Sequence, residues 1–143
     1  RPNRINTVYS QLIKKGMVQN PAEFIDNYLH MNTSIELRSL EKVYDHGPLI
    51  GDLFIGGKHM FPRIQFGGPV FFDKEYIFFT VFTGSESEPK FKVGAFNLSE
   101  MQYSTSNDEF PVIDILKKEA NRIFFYTDME KQKLTHIDLF WVL

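Results

Sequence analysis

The apolar and polar positions change period near Ile35. Before it, apolar residues recur at helical spacing. Val8, Tyr9, Leu12 and Ile13 share one stripe, Asn6 or Thr7 stands ready to cap it, Lys14 and Lys15 suit the negative helix end, and Gly16 suits the stop, which predicts a helix over about 5–15. A second helix is expected over about 21–30. Asn20 can accept from first-turn amides, Pro21 fits the first helical position, Glu23 completes a box-like spacing, and Phe24, Ile25, Tyr28 and Leu29 line one face.

After Ile35 the spacing becomes that of strands. Ile35 and Leu37 alternate with Glu36 and Arg38; Leu49-Ile50 and Leu53-Phe54-Ile55 run up to Gly56-Gly57; and Met60 to Phe66 alternates loosely until Gly67-Gly68-Pro69 breaks it with a turn or a bulge. "PVFF" and "YIFFTVF" flank the polar Asp73-Lys74-Glu75, so they read as a hairpin. Along 76–82 both faces are apolar, Ile77, Phe79 and Val81 on one side and Tyr76, Phe78 and Phe82 on the other. A strand of that kind is internal, with helices expected on its second face, or it offers one face to a partner.

The phrase repeats. "YIFFTVF" at 76–82 resembles "RIFFYTD" at 122–128, an offset of 46 (76 to 122), and "VGAFNL" at 93–98 resembles "LTHIDL" at 134–139, an offset of 41 (93 to 134). In the second strand of each copy the apolar phase slips by one, Val93 to Phe96 and Leu134 to Ile137, which predicts a bulge, with Gly94 suited to it. "SEMQYSTSNDEFP" reads as a strand plus loop, "VIDILKKEAN" as a strand at hairpin distance from "RIFF", and "THIDLFWVL" as a C-terminal strand with Trp141 in the core or at an interface. A period in the forties is that of blade-like meanders, but the residues left after the helices suffice for roughly two sheets, and a propeller needs at least about four blades.

The expected fold is therefore α+β and mainly β. Two N-terminal helices precede about eight antiparallel strands in two meander sheets, sandwich-like and not a closed propeller. One domain is expected over 1–143, helical to about 33 and β from about 34. Composition fits this: 143 residues, 43% hydrophobic, 24% charged, with 15 Phe against 6 Tyr and 1 Trp, an ordinary soluble balance with a ring-rich core. The chain opens at Arg1 without Met, as a trimmed or a processed start would.

The charge of −2 and the lack of any long basic run argue against a grip on nucleic acid, and no apolar run approaches a membrane span. With no cysteine, disulfides, thiol catalysis and thiolate metal sites are excluded, and a cytoplasmic location is expected, with the periplasm or cell envelope as the alternative if a signal was removed. No cofactor motif is present: "LIGDLFIGGKH" and "FGGP" match no phosphate-binding glycine pattern. His46, Asp52 and His59 could meet as a His/Asp metal site of a small hydrolase, though without a specific ligand spacing. His136 and Asp138 lack a nucleophile; of the acids Asp114, Asp128 and Asp138, the second reads as a turn residue and the others as outward strand positions.

What remains is surface for a protein partner. Glu86 and Glu88 in "TGSESEP" and Asp108 and Glu109 in "NDEF" form acidic loops at what is expected to be one end, able to steer a basic partner, while Tyr76 and Phe78 are candidate aromatic anchors. The run "FPRIQFGGPVFFDKEYIFFTVF…FKVGAFNL…NRIFFYTD…LTHIDL" resembles, in style over roughly 50–140, small β-rich bacterial immunity proteins encoded beside secreted toxins. The resemblance implies a cytosolic protein that neutralises a toxin domain by occluding its active site, and it transfers no individual residue. The other expectations are the His/Asp enzyme and a ligand-binding or structural domain of a cell-envelope protein.

Overall fold

The structure, a computed structural model, describes residues 18–143. Among the described residues there are eleven strands and no helix. They are β1 (Asn27–His30), β2 (Thr33–Lys42), β3 (Leu49–Ile55), β4 (Lys58–Met60), β5 (Phe66–Asp73), β6 (Tyr76–Phe82), β7 (Phe91–Asn97), β8 (Gln102–Thr105), β9 (Asp114–Glu119), β10 (Arg122–Tyr126) and β11 (Leu134–Asp138). All pairings are antiparallel. An open eight-stranded sheet runs β1-β2-β3-β5-β6-β7-β8 with β4 beside β3, and a three-stranded sheet runs β11-β10-β9. The mainly β, antiparallel expectation holds as an open sheet plus a smaller one, with eleven strands where about eight were expected and, among the described residues, no closed barrel.

The helix expected near 21–30 is a turn and a strand. Asn20 does cap, but its side chain accepts from Ala22 N–H (2.8 Å) inside a tight turn in which Asn20 and Glu23 exchange backbone hydrogen bonds. The following apolar residues then serve long-range contacts. Asn27 to His30 pair with Glu36 to Thr33, and Ile25 and Tyr28 are buried among β2, β3 and β6 side chains. Met31 and Asn32, both at positive φ, close this hairpin as a two-residue loop. Helical spacing was real, but a ladder and a core outweigh propensity. The helix expected over 5–15 lies outside the described residues.

β6 is the centre of the molecule. Ile77, Phe79 and Val81 join a first core with Ile35, Leu37, Leu53 and Ile55, so the large sheet curls over itself. Phe78 points the other way, into a second core with Val93, Ala95, Ile115, Ile123 and Phe125, where the three-stranded sheet packs on β6 and β7. The expected second cover of helices is instead this small sheet. Burial of each such ring or branched chain contributes about 1.5–3 kcal/mol.

The repeat is visible in register. In the β6–β7 ladder Tyr76 faces Asn97 and Thr80 faces Val93; in the β10–β11 ladder Arg122 faces Asp138 and Tyr126 faces Leu134, the same pairs shifted by 46 (76 to 122) and 41 (97 to 138). The bulge expected at Gly94 is absent, because neither ladder shifts register. The apolar phase slips because β7 is buried on both faces, Val93 toward the second core and Phe96 toward the first. Bulges fall elsewhere, between Phe124 and Phe125 against β9 and between Gly67 and Phe71 against β6. Gly67-Gly68-Pro69 therefore does not end a strand. It lies within β5, where a Cβ on Gly67 would sit 2.7 Å from the Leu49 carbonyl oxygen and one on Gly68 2.7 Å from the Phe24 ring.

Candidate protein-binding surface

The connection from β6 to β7 is the acidic loop. Thr83 N–H donates to Lys90 C=O (2.9 Å), and the Ser85 hydroxyl accepts from Glu88 N–H (3.2 Å), so the loop is folded on itself with Glu86 and Glu88 exposed. The second acidic stretch follows β8. Ser106, buried, accepts from Val93 N–H (3.0 Å) and donates to Asp108 C=O (3.2 Å). Phe91 and Phe110 exchange backbone hydrogen bonds of 2.8 Å, and the Thr83 hydroxyl donates to the Glu109 carboxylate. Glu86, Glu88, Asp108 and Glu109 thus decorate two loops tied together at one end of β6.

Beside Asp108 lies a shallow depression of about 360 Å³, bordered also by His136, Ile137, Asp138, Phe140 and Trp141. The turn after β11 shapes it. Trp141 Nε1 donates to Asp138 C=O (2.7 Å) and Val142 N–H to Leu139 C=O (3.1 Å). Leu139 is buried and Trp141 half-buried against the second core, which leaves Phe140 outside at 84% exposure. Its ring also borders a second depression with Glu119, Arg122 and Phe124. The expected long C-terminal strand ends at Asp138, and Phe140 gained its position only from this turn.

The aromatic anchors expected from sequence are elsewhere. Phe78 is 1% exposed and belongs to the second core, so it offers nothing to a partner. Tyr76 starts β6, opposite Asp73 and Asn97, at the far end from Phe82 and the acidic loops, about 20 Å away at strand rise.

The His/Asp trio is only half assembled. His59 Nε2 and Asp52 Oδ1 lie 3.7 Å apart across the β3–β4 hairpin, beyond hydrogen-bond length, and the His59 ring stacks on Phe54 at 4.8 Å. His46 sits in the β2–β3 turn, exposed, 3.6 Å from its neighbour Asp45, also beyond hydrogen-bond length. Among the described residues no three His, Asp or Glu side chains gather as a metal site. His30 meets the Lys74 carbonyl (2.5 Å) and His136 packs on Phe124 (centroids 5.2 Å). Of the four, only His30 has a hydrogen-bond partner among the described residues, and His59 Nε2 is buried without one.

Of the three acids considered for catalysis, Asp128 is the expected turn residue: it accepts from Gln132 and Lys133 N–H, and these amides hold its carboxyl below the usual range. Asp138 points outward and pairs with Arg122 (3.4 Å). Asp114 does not point outward. It is fully buried, its Oδ2 2.7 Å from Lys131 Nζ, and burial pushes its carboxyl up. Sequence alternation placed it outward; in the structure Lys131, from the connection between β10 and β11, lies against it.

No family model, curated protein or solved structure matches the chain. Among the described residues no helix is long and apolar enough to cross a membrane.

Proposed function

We propose that the protein is a non-enzymatic protein-binding module of the immunity type, engaging a basic partner through its acidic end and Phe140. The reading rests on one observation: the Glu86/Glu88 and Asp108/Glu109 loops are bonded together through Thr83–Glu109 and Phe91–Phe110, beside a depression from which Phe140 projects almost fully exposed. An exposed phenylalanine gains much area on burial and costs little side-chain entropy, which is what an interface anchor needs. The acids of the two loops speed encounter with a positive surface and disfavour acidic competitors. An enzyme that grips a polyanion carries such a basic surface, so a toxin domain of that kind is the partner this end would occlude. In this reading the protein works in the cytosol, without a cofactor and without binding nucleic acid itself. The His46/Asp52/His59 enzyme has less support, since among the described residues no three such side chains come together.

The test is binding of the purified chain to the purified basic protein encoded beside it, at low and high salt. Phe140→Ala should weaken the complex about tenfold or more, and replacing Glu86, Glu88, Asp108 and Glu109 with Gln or Asn should flatten the salt dependence. A complex indifferent to both sets of changes would exclude this surface.

A further inference from the structure

A second concave site lies where the two sheets meet, away from the acidic end. It is a cleft of about 540 Å³ walled by Val70, Phe71 and Phe72 of β5 and by Ile115 and Leu116 of β9, with Tyr126 and Lys131 at its side. That volume is within the range of sites that take small organic ligands, and the walls are apolar as such sites are. Leu116 lines the cleft and is 46% exposed.

Lys131 supplies the polar feature. The loop that carries it is fixed: Thr127 N–H donates to Lys133 C=O, and Asp128 accepts from Gln132 and Lys133 N–H. Its ammonium has three donors. One goes to Asp114 Oδ2 (2.7 Å), one to the Gln19 carbonyl (3.0 Å), and the side chain remains one-third exposed at the cleft. The ammonium also lies 5.4 Å from the Tyr126 ring centroid, and among the described residues its third N–H has no hydrogen-bond partner.

The charges around it select the kind of acceptor. Asp114 already neutralises Lys131, and Asp128 acts on Asp114 from nearby. A ligand carboxylate would meet these two acids and gain no net attraction, while an amine would face the ammonium. We propose that the cleft binds an uncharged, apolar small molecule ending in one acceptor oxygen, an acyl amide or ester, with its carbonyl on Lys131 and its chain between β5 and β9.

The experiment is titration of the 143-residue chain with decanamide, decanoate and decylamine, followed by amide-resolved NMR. Decanamide should bind and shift the amides of Val70, Leu116 and Lys131, more tightly than either charged probe. Leu116→Glu, at an exposed position, should abolish binding while leaving the fold intact. Asp114→Asn/Lys131→Met, which removes the pair together, should weaken it about tenfold or more, the effect of one hydrogen bond from a charged donor. No binding, shifts that map elsewhere, or a charged probe binding as tightly would each overturn the proposal.

Discussion

Gly94 faces Phe79 across the β6–β7 ladder, and the Phe79 ring fills the place where a side chain at 94 would begin: a Cβ there would lie 2.5 Å from Phe79 Cε1 and 2.7 Å from Val81 Cγ2. Phe79 and Val81 are both buried in the first core, which leaves them little room to retreat. Gly94→Ala is therefore expected to destabilise by about 1–3 kcal/mol, as overpacking does. Urea unfolding measures it. A neutral result would mean that β6 and β7 are less closely packed than described.

Ser106 links the core to the acidic end. Its hydroxyl satisfies buried Val93 N–H and holds the Asp108 carbonyl. Ser106→Ala leaves that amide unpaired and should cost about 1–3 kcal/mol. Hydrogen exchange should accelerate at Val93 and through Asn107–Phe110, with little change in β10 and β11.

Phe78 and Phe140 should behave oppositely. Phe78→Ala empties a fully packed position between the sheets and should cost about 3–5 kcal/mol. Phe140→Ala should change stability by no more than about 0.5 kcal/mol, since the ring is outside. Equal effects on stability would remove Phe140 from the surface assigned to it.

Two aspartates should give opposite pH dependence. Burial raises Asp114 above its ordinary value of 3.8, with Lys131 opposing the rise. The unfolded chain then releases this proton at lower pH than the folded chain, so Asp114's contribution is full below 3.8 and is lost as pH rises through the folded value. Asp128 is lowered, so its contribution is present above 3.8 and is lost as pH falls through its folded value. Relative to the parent, Asp114→Asn should gain stability as pH rises through the acid range and Asp128→Asn should lose it. Unfolding at a series of pH values reads both slopes. Lys131→Met, which strands Asp114, should cost about 2–3 kcal/mol, less than a fully enclosed pair because a third of the lysine is exposed.

Much of the strand pattern was legible. The 73–75 turn, the β9–β10 hairpin and the two-faced burial of 76–82 follow from alternation and turn chemistry, which act over a few residues. The 21–30 segment misled because its spacing fits a helix and a half-buried strap equally, and only contacts with β2 and β5 distinguish them. The acidic loops could be named from sequence; that Thr83 and Glu109 bond them could not, since 26 residues separate the two.

From Ile35 onward local chemistry alone settled most strands and turns and the shared pattern of the 76–97 and 122–138 units, because side-chain alternation and turn preferences need only near neighbours. Which apolar face meets which sheet, why Asp114 is inside with Lys131 and why Phe140 is outside were settled by packing. Alternation says that a residue faces one side of a strand, and only the element lying against that side decides whether it meets core, charge or water.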